Sequence, residues 1–244
     1  DTQRVDTGFI ADGPVGDAMG WTLRGSAMVQ DHDKRFGDVT EDDRHESYLI
    51  EGSLNGYTLR SNWVVGAALQ TDRFGADDFP AFDYRYDVPG LFGQLDYDLT
   101  DTLSTSISAR LDDHSDYGSQ FSPRVSMLYR PGDWTVRGSY GQGYFAPTPF
   151  VEEIEAAGLS RLEPFEGLKE ETAETASVDI GYSWESVEAN ATLFASNVED
   201  VTRLQSFAST AGGPLDRVRL VNVPGESRIR GTELLLRYYW NSFK

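Results

Sequence analysis

The 244 residues include no cysteine, which excludes a disulfide framework and thiol chemistry and suits an oxidising compartment. Basic residues are also scarce. Twenty-one Lys and Arg against 40 Asp and Glu leave a formal charge of -19, the wrong sign for gripping phosphates, so no nucleic acid is expected as a partner. No run of 18 apolar residues exists, and Asp1-Thr2-Gln3-Arg4 has no charged-then-apolar signal pattern, so no membrane-spanning helix is expected. A membrane β-barrel is untouched by that absence, because its strands need only about 9 to 11 residues with one apolar face. Also missing are a Gly-x-Ser-x-Gly nucleophile turn, a glycine-rich phosphate loop and a paired-histidine zinc motif. The chain is therefore not expected to be an enzyme.

What is present is alternation. Leu103, Ile107, Ala109 and Leu111 alternate with Ser104, Ser106, Ser108 and Arg110, and a period of two means strand. The same pattern runs through Val178, Ile180, Tyr182 and Trp184 against Ser177, Asp179, Gly181 and Ser183, and through Val187 to Ala195. About eleven strands are expected, over 3–10, 17–30, 45–55, 61–71, 84–97, 102–112, 121–130, 134–145, 170–183, 186–205 and 217–240. Their connections fall into two alternating kinds. Tight ones, such as Leu99-Thr100-Asp101, Pro131-Gly132-Asp133 and Glu185-Ser186, contrast with long acidic ones at 31–44, 72–83, 113–120, 146–169 and 206–216. Outer-membrane barrels sort their loops by length in this way, and a soluble sandwich has no reason to. Trp21, Trp63, Tyr97, Tyr129, Trp134, Tyr182, Trp184, Tyr238 and Trp240 lie beside the tight ends in phase with the apolar face, as an interfacial aromatic girdle would. The alternative is a soluble all-β carbohydrate-binding module or hydrolase, which detergent requirement and heat-modifiable gel mobility would separate from a barrel.

From Arg137-Gly138-Ser139-Tyr140 through Phe145-Ala146-Pro147-Thr148 the chain resembles a TonB-dependent outer-membrane receptor. The likeness continues in order through Leu162-Glu163-Pro164-Phe165, Glu171-Thr172, Asp179-Ile180-Gly181-Tyr182, Leu193-Phe194-Ala195-Ser196-Asn197, Asn222-Val223 and Arg230-Gly231-Thr232-Glu233-Leu234. The resemblance implies an antiparallel transmembrane β-barrel fragment: residues 1–244 as about eleven central strands of a 22-stranded barrel, with plug, TonB box and closing strands lying elsewhere. It further implies a Gram-negative outer-membrane location and TonB-driven uptake of a large scarce solute of the iron-siderophore or cobalamin type. The TonB complex would act through the plug. A haem receptor of the family would carry a histidine between Phe145 and Lys169, and none is there.

Strand parity directs Leu103, Ile107, Val136, Ile180, Leu193 and Leu236 to lipid. Arg24, Glu51, Gln94, Arg110, Arg124, Arg137, Asp179, Glu188, Glu233 and Arg237 are directed to the lumen. Ligand contact is expected at Arg24, Gln30, Gln70 and Arg110, and from Phe150 in a short loop helix capped by Thr148, begun by Pro149 and stopped by Gly158. The three histidines are placed in long loops, each beside an acid. Asp31, His32 and Asp33 form one candidate metal cluster, and Asp112, Asp113, His114 and Asp116 another, with Ca2+ favoured by the surplus of oxygen. Acids along the outer rim, Glu41 and Asp43 among them, are expected to be solvated, or ordered by divalent cations that bridge them to lipopolysaccharide or to a metal-bearing ligand. An anionic ferric siderophore would need Arg24, Arg73 or Arg110 to compensate that charge.

Overall fold

The computed structural model describes residues 1–148, 158–210, 213 and 216–240. Ten strands follow one another as β1 (Thr2–Val15), β2 (Met19–Phe36), β3 (Val39–Tyr57), β4 (Ser61–Ala76), β5 (Tyr84–Asp98), β6 (Leu103–His114), β7 (Gly118–Tyr129), β8 (Trp134–Phe145), β9 (Glu171–Trp184) and β10 (Val187–Glu199). Next come β11 (Thr202–Phe207), β12 (Arg217–Asn222) and β13 (Glu226–Tyr238), and single 3-10 turns occur at Pro80–Phe82 and Leu159–Arg161. Strands β1 to β10 and β13 form one antiparallel eleven-stranded sheet in sequence order, open between β1 and β13, while β11 and β12 make a separate hairpin.

Ladder pairing assigns the faces, because directly opposed residues share one. Arg137 opposes Asp179, Asp179 opposes Thr192 and Thr192 opposes Glu233, so the polar set expected at the lumen lies on one face. Val136 opposes Ile180 and Leu103 opposes Tyr129 on the other. That second face is apolar and bare, with Ile107, Ile180, Leu193 and Leu236 all exposed. Trp134 and Tyr182 meet on it with centroids 4.7 Å apart.

Four expected segments differ from the structure. The segments 31–44 and 113–120 are not long loops: β2 and β3 run for 18 and 19 residues, and β6 turns into β7 through 115–117. At about 10 residues per membrane crossing, the β2–β3 hairpin projects well past the bilayer. It closes at Gly37, whose φ of 64° suits the first position of a two-residue hairpin turn. All three histidines therefore sit in strands. The expected strand 186–205 is divided by Asp200, which takes a left-handed φ of 51° and turns the chain out of the sheet into β11. The expected strand 217–240 is broken by Pro224-Gly225, with Gly225 at φ 99°. The helix expected at 149–157, and Phe150 with it, lie outside the described residues.

One ladder is short. β7 pairs with β8 only from Arg124 to Tyr129, although β6 stays paired to β7 up to Gly118 and β9 to β8 up to Phe145. Pro123 lies where the pairing stops, and proline has no N–H to give a ladder. Beyond that point the link is through side chains: Gln120 donates to Glu170 at 2.9 Å and the Tyr117 hydroxyl to the Pro147 carbonyl at 3.0 Å.

Candidate functional site

Counted up from the tight turns, the membrane-crossing stretches cover roughly residues 88–98 of β5 and 103–113 of β6. Above that level the inward face of β2 to β6 is roofed. Leu159, Leu162, Phe82, Val218 and Leu220 close over Phe74 and Ala76 in one buried cluster, with Tyr84, Phe165 and Leu204 packed against it. The roof is pinned by Glu41, 1% exposed, whose carboxylate accepts the backbone N–H groups of Leu159 and Ser160, each at 2.8 Å. Gly158, at φ 81°, brings the chain so near that a Cβ there would lie 3.0 Å from Glu41 Oε1.

Under this roof an aromatic run crosses the strands. Phe74 stacks on Tyr84 at 5.8 Å and Tyr84 on Tyr86 at 4.4 Å. His114 then tilts against Tyr86 at 4.8 Å and meets Tyr117 edge-on at 5.0 Å. The His45 imidazole lies 3.0 Å from the Asp72 carboxylate, which also accepts the Tyr84 hydroxyl at 2.6 Å. Burial, and next Asp72, push the Tyr84 phenol far above its ordinary pKa. His114 Nδ1 accepts the backbone N–H groups of Asp116 and Tyr117 at 3.2 and 3.3 Å. Burial holds its pKa below the ordinary value against the opposing pull of Asp116, Asp112 and Glu170.

The expected contact residues occupy this wall unequally. Arg24 is inward and ion-paired to Glu51 at 2.8 Å. Gln30 is inward, its side-chain nitrogen 2.5 Å from His32 Nε2. Gln70 is exposed between Leu49 and Val88. Arg110 lies 5.9 Å from the Phe92 ring centre and is held by Asp112 at 2.7 Å.

The proposed metal sets do not converge. Strand alternation turns His32 inward, buried against Asp43 at 2.6 Å, while Asp31 and Asp33 are exposed on the other face. Likewise Asp112 and His114 are buried inward, Asp113 is exposed and bound by Ser119, and Asp116 lies in the turn beside Ser115. Among the described residues no group of three or more His, Asp and Glu is placed to hold a metal. Glu41 and Asp43 are buried, not solvated on the rim, because each stands at an inward position of β3, which extends beyond the bilayer. The aromatic run and Glu41 escaped the sequence reading for the same reason: carrying parity back before residue 45 in β3 would have turned Glu41 and Asp43 inward, and carrying it past residue 71 in β4 would have turned Phe74 inward.

The family model described as "TonB dependent receptor-like, beta-barrel" matches residues 1–244. The chain belongs to this family. Its place is accordingly the Gram-negative outer membrane, with the bare apolar face against lipid and the roofed face toward the TonB-dependent receptor lumen. Solved structures share the fold. The siderophore receptor PirA of Pseudomonas aeruginosa gives a TM-score of 0.69 at 15% identity, covering 96% of this chain and 53% of that one. A mutant of the ferric enterobactin receptor PfeA of the same organism gives 0.76 at 14% identity, covering 96% and 41%. The Serratia marcescens hemophore receptor HasR, in complex with its hemophore and heme, gives 0.74 at 15% identity, covering 98% and 46%. The chain thus spans about half the length of these receptors or less. No curated protein sequence matches it.

Proposed function

We propose that these strands form part of the wall and outer mouth of a TonB-dependent transporter that takes up a metal chelate of low net charge, of the iron-siderophore type, with cobalamin as the second candidate. The observation that carries this reading is the neutralisation of the wall. Arg24 and Arg110, the two lumen arginines expected to meet an anionic chelate, are already paired with Glu51 and Asp112. Arg73, the third compensating cation considered, stands on the lipid-side face opposite Arg85. A chain of charge -19 with these two lumen arginines paired repels a polyanion. The Phe92–Arg110 contact on the lumen face favours a ligand with flat or apolar surface. Capture would take place at the mouth, and release into the periplasm would be driven through the plug by the TonB complex.

The test uses the complete receptor. Tryptophan fluorescence should report binding of neutral or cationic ferric siderophores, or of cobalamin, ahead of triply anionic ones, and cellular uptake should vanish without TonB. Preferred binding of the anionic chelates, or uptake that persists without TonB, would remove the proposal.

A further inference from the structure

The hairpin of β11 and β12 has two unlike faces. Leu204 opposes Leu220 and Ser206 opposes Val218 on one of them, and Val218 and Leu220 are buried in the roof against Phe74 and Ala76 of the β4 wall. The other face is basic. Alternate residues of a strand share a face, so it carries Arg203 opposite Val221, Gln205 opposite Arg219 and Phe207 opposite Arg217. A layer packed on the inward side of the wall turns its far face away from that wall, and these three exposed arginines therefore look across the outer mouth.

Acids outnumber bases by 40 to 21 in this chain, yet among the described residues none of the three arginines is ion-paired. Arg217 donates to the Ser160 carbonyl at 3.3 Å. Arg219 donates to Gln205 Oε1 at 2.9 and 3.1 Å and lies 5.3 Å from the Phe207 ring centre, so its guanidinium reaches across β11 toward the free side of the hairpin. Among the described residues Arg203 makes no side-chain hydrogen bond. The neighbouring acid, Asp216, turns its carboxylate to Ser209 and accepts the backbone N–H there at 2.7 Å.

The hairpin also has an open edge. β12 is covered on its outer side by the parallel bridge of Leu162 to Val218 and by the Glu163 N–H, which donates to the Val218 carbonyl at 2.9 Å. β11 pairs with β12 alone. On its other edge the Thr202 N–H is taken by Glu171 at 2.9 Å, and the backbone beyond it is a template for a further strand. β10 runs for 13 residues before the chain reaches β11, more than the roughly 10 of a membrane crossing, so this edge stands in water.

We propose that the β11 edge docks an extended acidic segment of a partner protein. Side chains on one face of an added strand recur about every 7 Å. Arg203 and the Arg219 guanidinium, which lies over the next two positions of the same face, are spaced to meet acids at alternate residues, while the segment's backbone pairs with the edge. Charges are screened over about 8 Å at physiological salt, so the patch acts locally although the whole chain is acidic. A small chelate would leave the edge unused, and an acidic polysaccharide has no regular row of backbone N–H groups to offer it. The site is independent of what the lumen carries.

The complete receptor in detergent, titrated with a fluorescent peptide of alternating Glu and Thr and followed by anisotropy, tests the proposal. The peptide should bind, and the same peptide with every backbone nitrogen methylated, equal in charge but without N–H donors, should bind at least about tenfold more weakly. The double variant Arg203→Ala, Arg219→Ala should lose a similar factor while keeping heat-modifiable gel mobility, which shows that the barrel is folded. Chelate binding by the variant should be unchanged, which separates this edge from the lumen reading. Equal binding by wild type and variant would overturn the proposal, as would loss of chelate binding in the variant, which would move these arginines to the lumen site. Equal binding of the methylated peptide would reduce the face to a charged patch open to any polyanion, and no binding of the acidic peptide to wild type would show the face covered by the rest of the receptor; either overturns it.

Discussion

The Glu41 carboxylate accepts the backbone N–H of Leu159 at 2.8 Å across 118 residues of sequence. It accepts the Ser160 N–H equally well, so this one side chain satisfies two backbone donors of the roof. Leaving a buried donor unpaired costs about 1 to 3 kcal/mol. Glu41→Ala should therefore speed amide exchange of residues 158–162 by about 10 to 100-fold while the β2–β3 ladder keeps its protection. Unchanged exchange at Leu159 and Ser160 would show that the apolar cluster alone holds the roof.

His114 should stay neutral below the pH at which an ordinary histidine protonates. Protonating Nδ1 forfeits both accepted N–H bonds, in line with the lowered pKa. Because the folded value lies below the unfolded one, stability at this site should be unaffected above about pH 6.5. It should decline as pH falls below that value and stop declining once the lowered folded pKa has been passed. Imidazole nitrogen shifts across a titration should report Nε2–H as the starting tautomer. A midpoint at or above pH 6.5 would contradict the assignment.

The face assignment gives an asymmetric expectation. Ile107→Arg, on the lipid side near mid-membrane, should cost about 2 to 4 kcal/mol, and Ser106→Arg, on the lumen side opposite Asp96, much less. Denaturant unfolding from lipid vesicles measures both, and equal costs would mean that the register is wrong.

Glu188 and Arg237 pair at 2.7 Å on the lumen face with both side chains substantially exposed. Water screens such a pair, so a double-mutant cycle should find no more than about 1 kcal/mol of coupling. A larger value would indicate that something in the complete receptor desolvates them.

Much of this architecture was legible because a barrel strand states its period locally. Strands β5 to β8 and the facing of Arg137, Asp179 and Leu193 all follow from neighbours one or two residues away. Acidic composition misled the reading where it stood in for periodicity. Asp31, Asp33, Asp42 and Asp43 look like a solvated loop, yet they continue the alternation of β2 and β3, with Asp43 turned inward. The divide at Asp200 was hidden because a left-handed φ at aspartate leaves no reliable mark in sequence. The roof was unreadable for another reason: Glu41 and Leu159, or Phe82 and Leu220, meet only after the whole sheet between them has formed.

Pro123 also has a mechanical reading. It leaves the upper halves of β7 and β8 unstitched, so that end of the wall consists of two panels, each laced internally and joined, among the described residues, through the side chains of Gln120 and Tyr117. The segment carrying Leu159 springs from the β8–β9 panel but is bolted by Glu41 to the β2–β3 panel. It spans the seam like a strap, so widening of the seam loads the two Glu41 hydrogen bonds together with those of Gln120 and Tyr117.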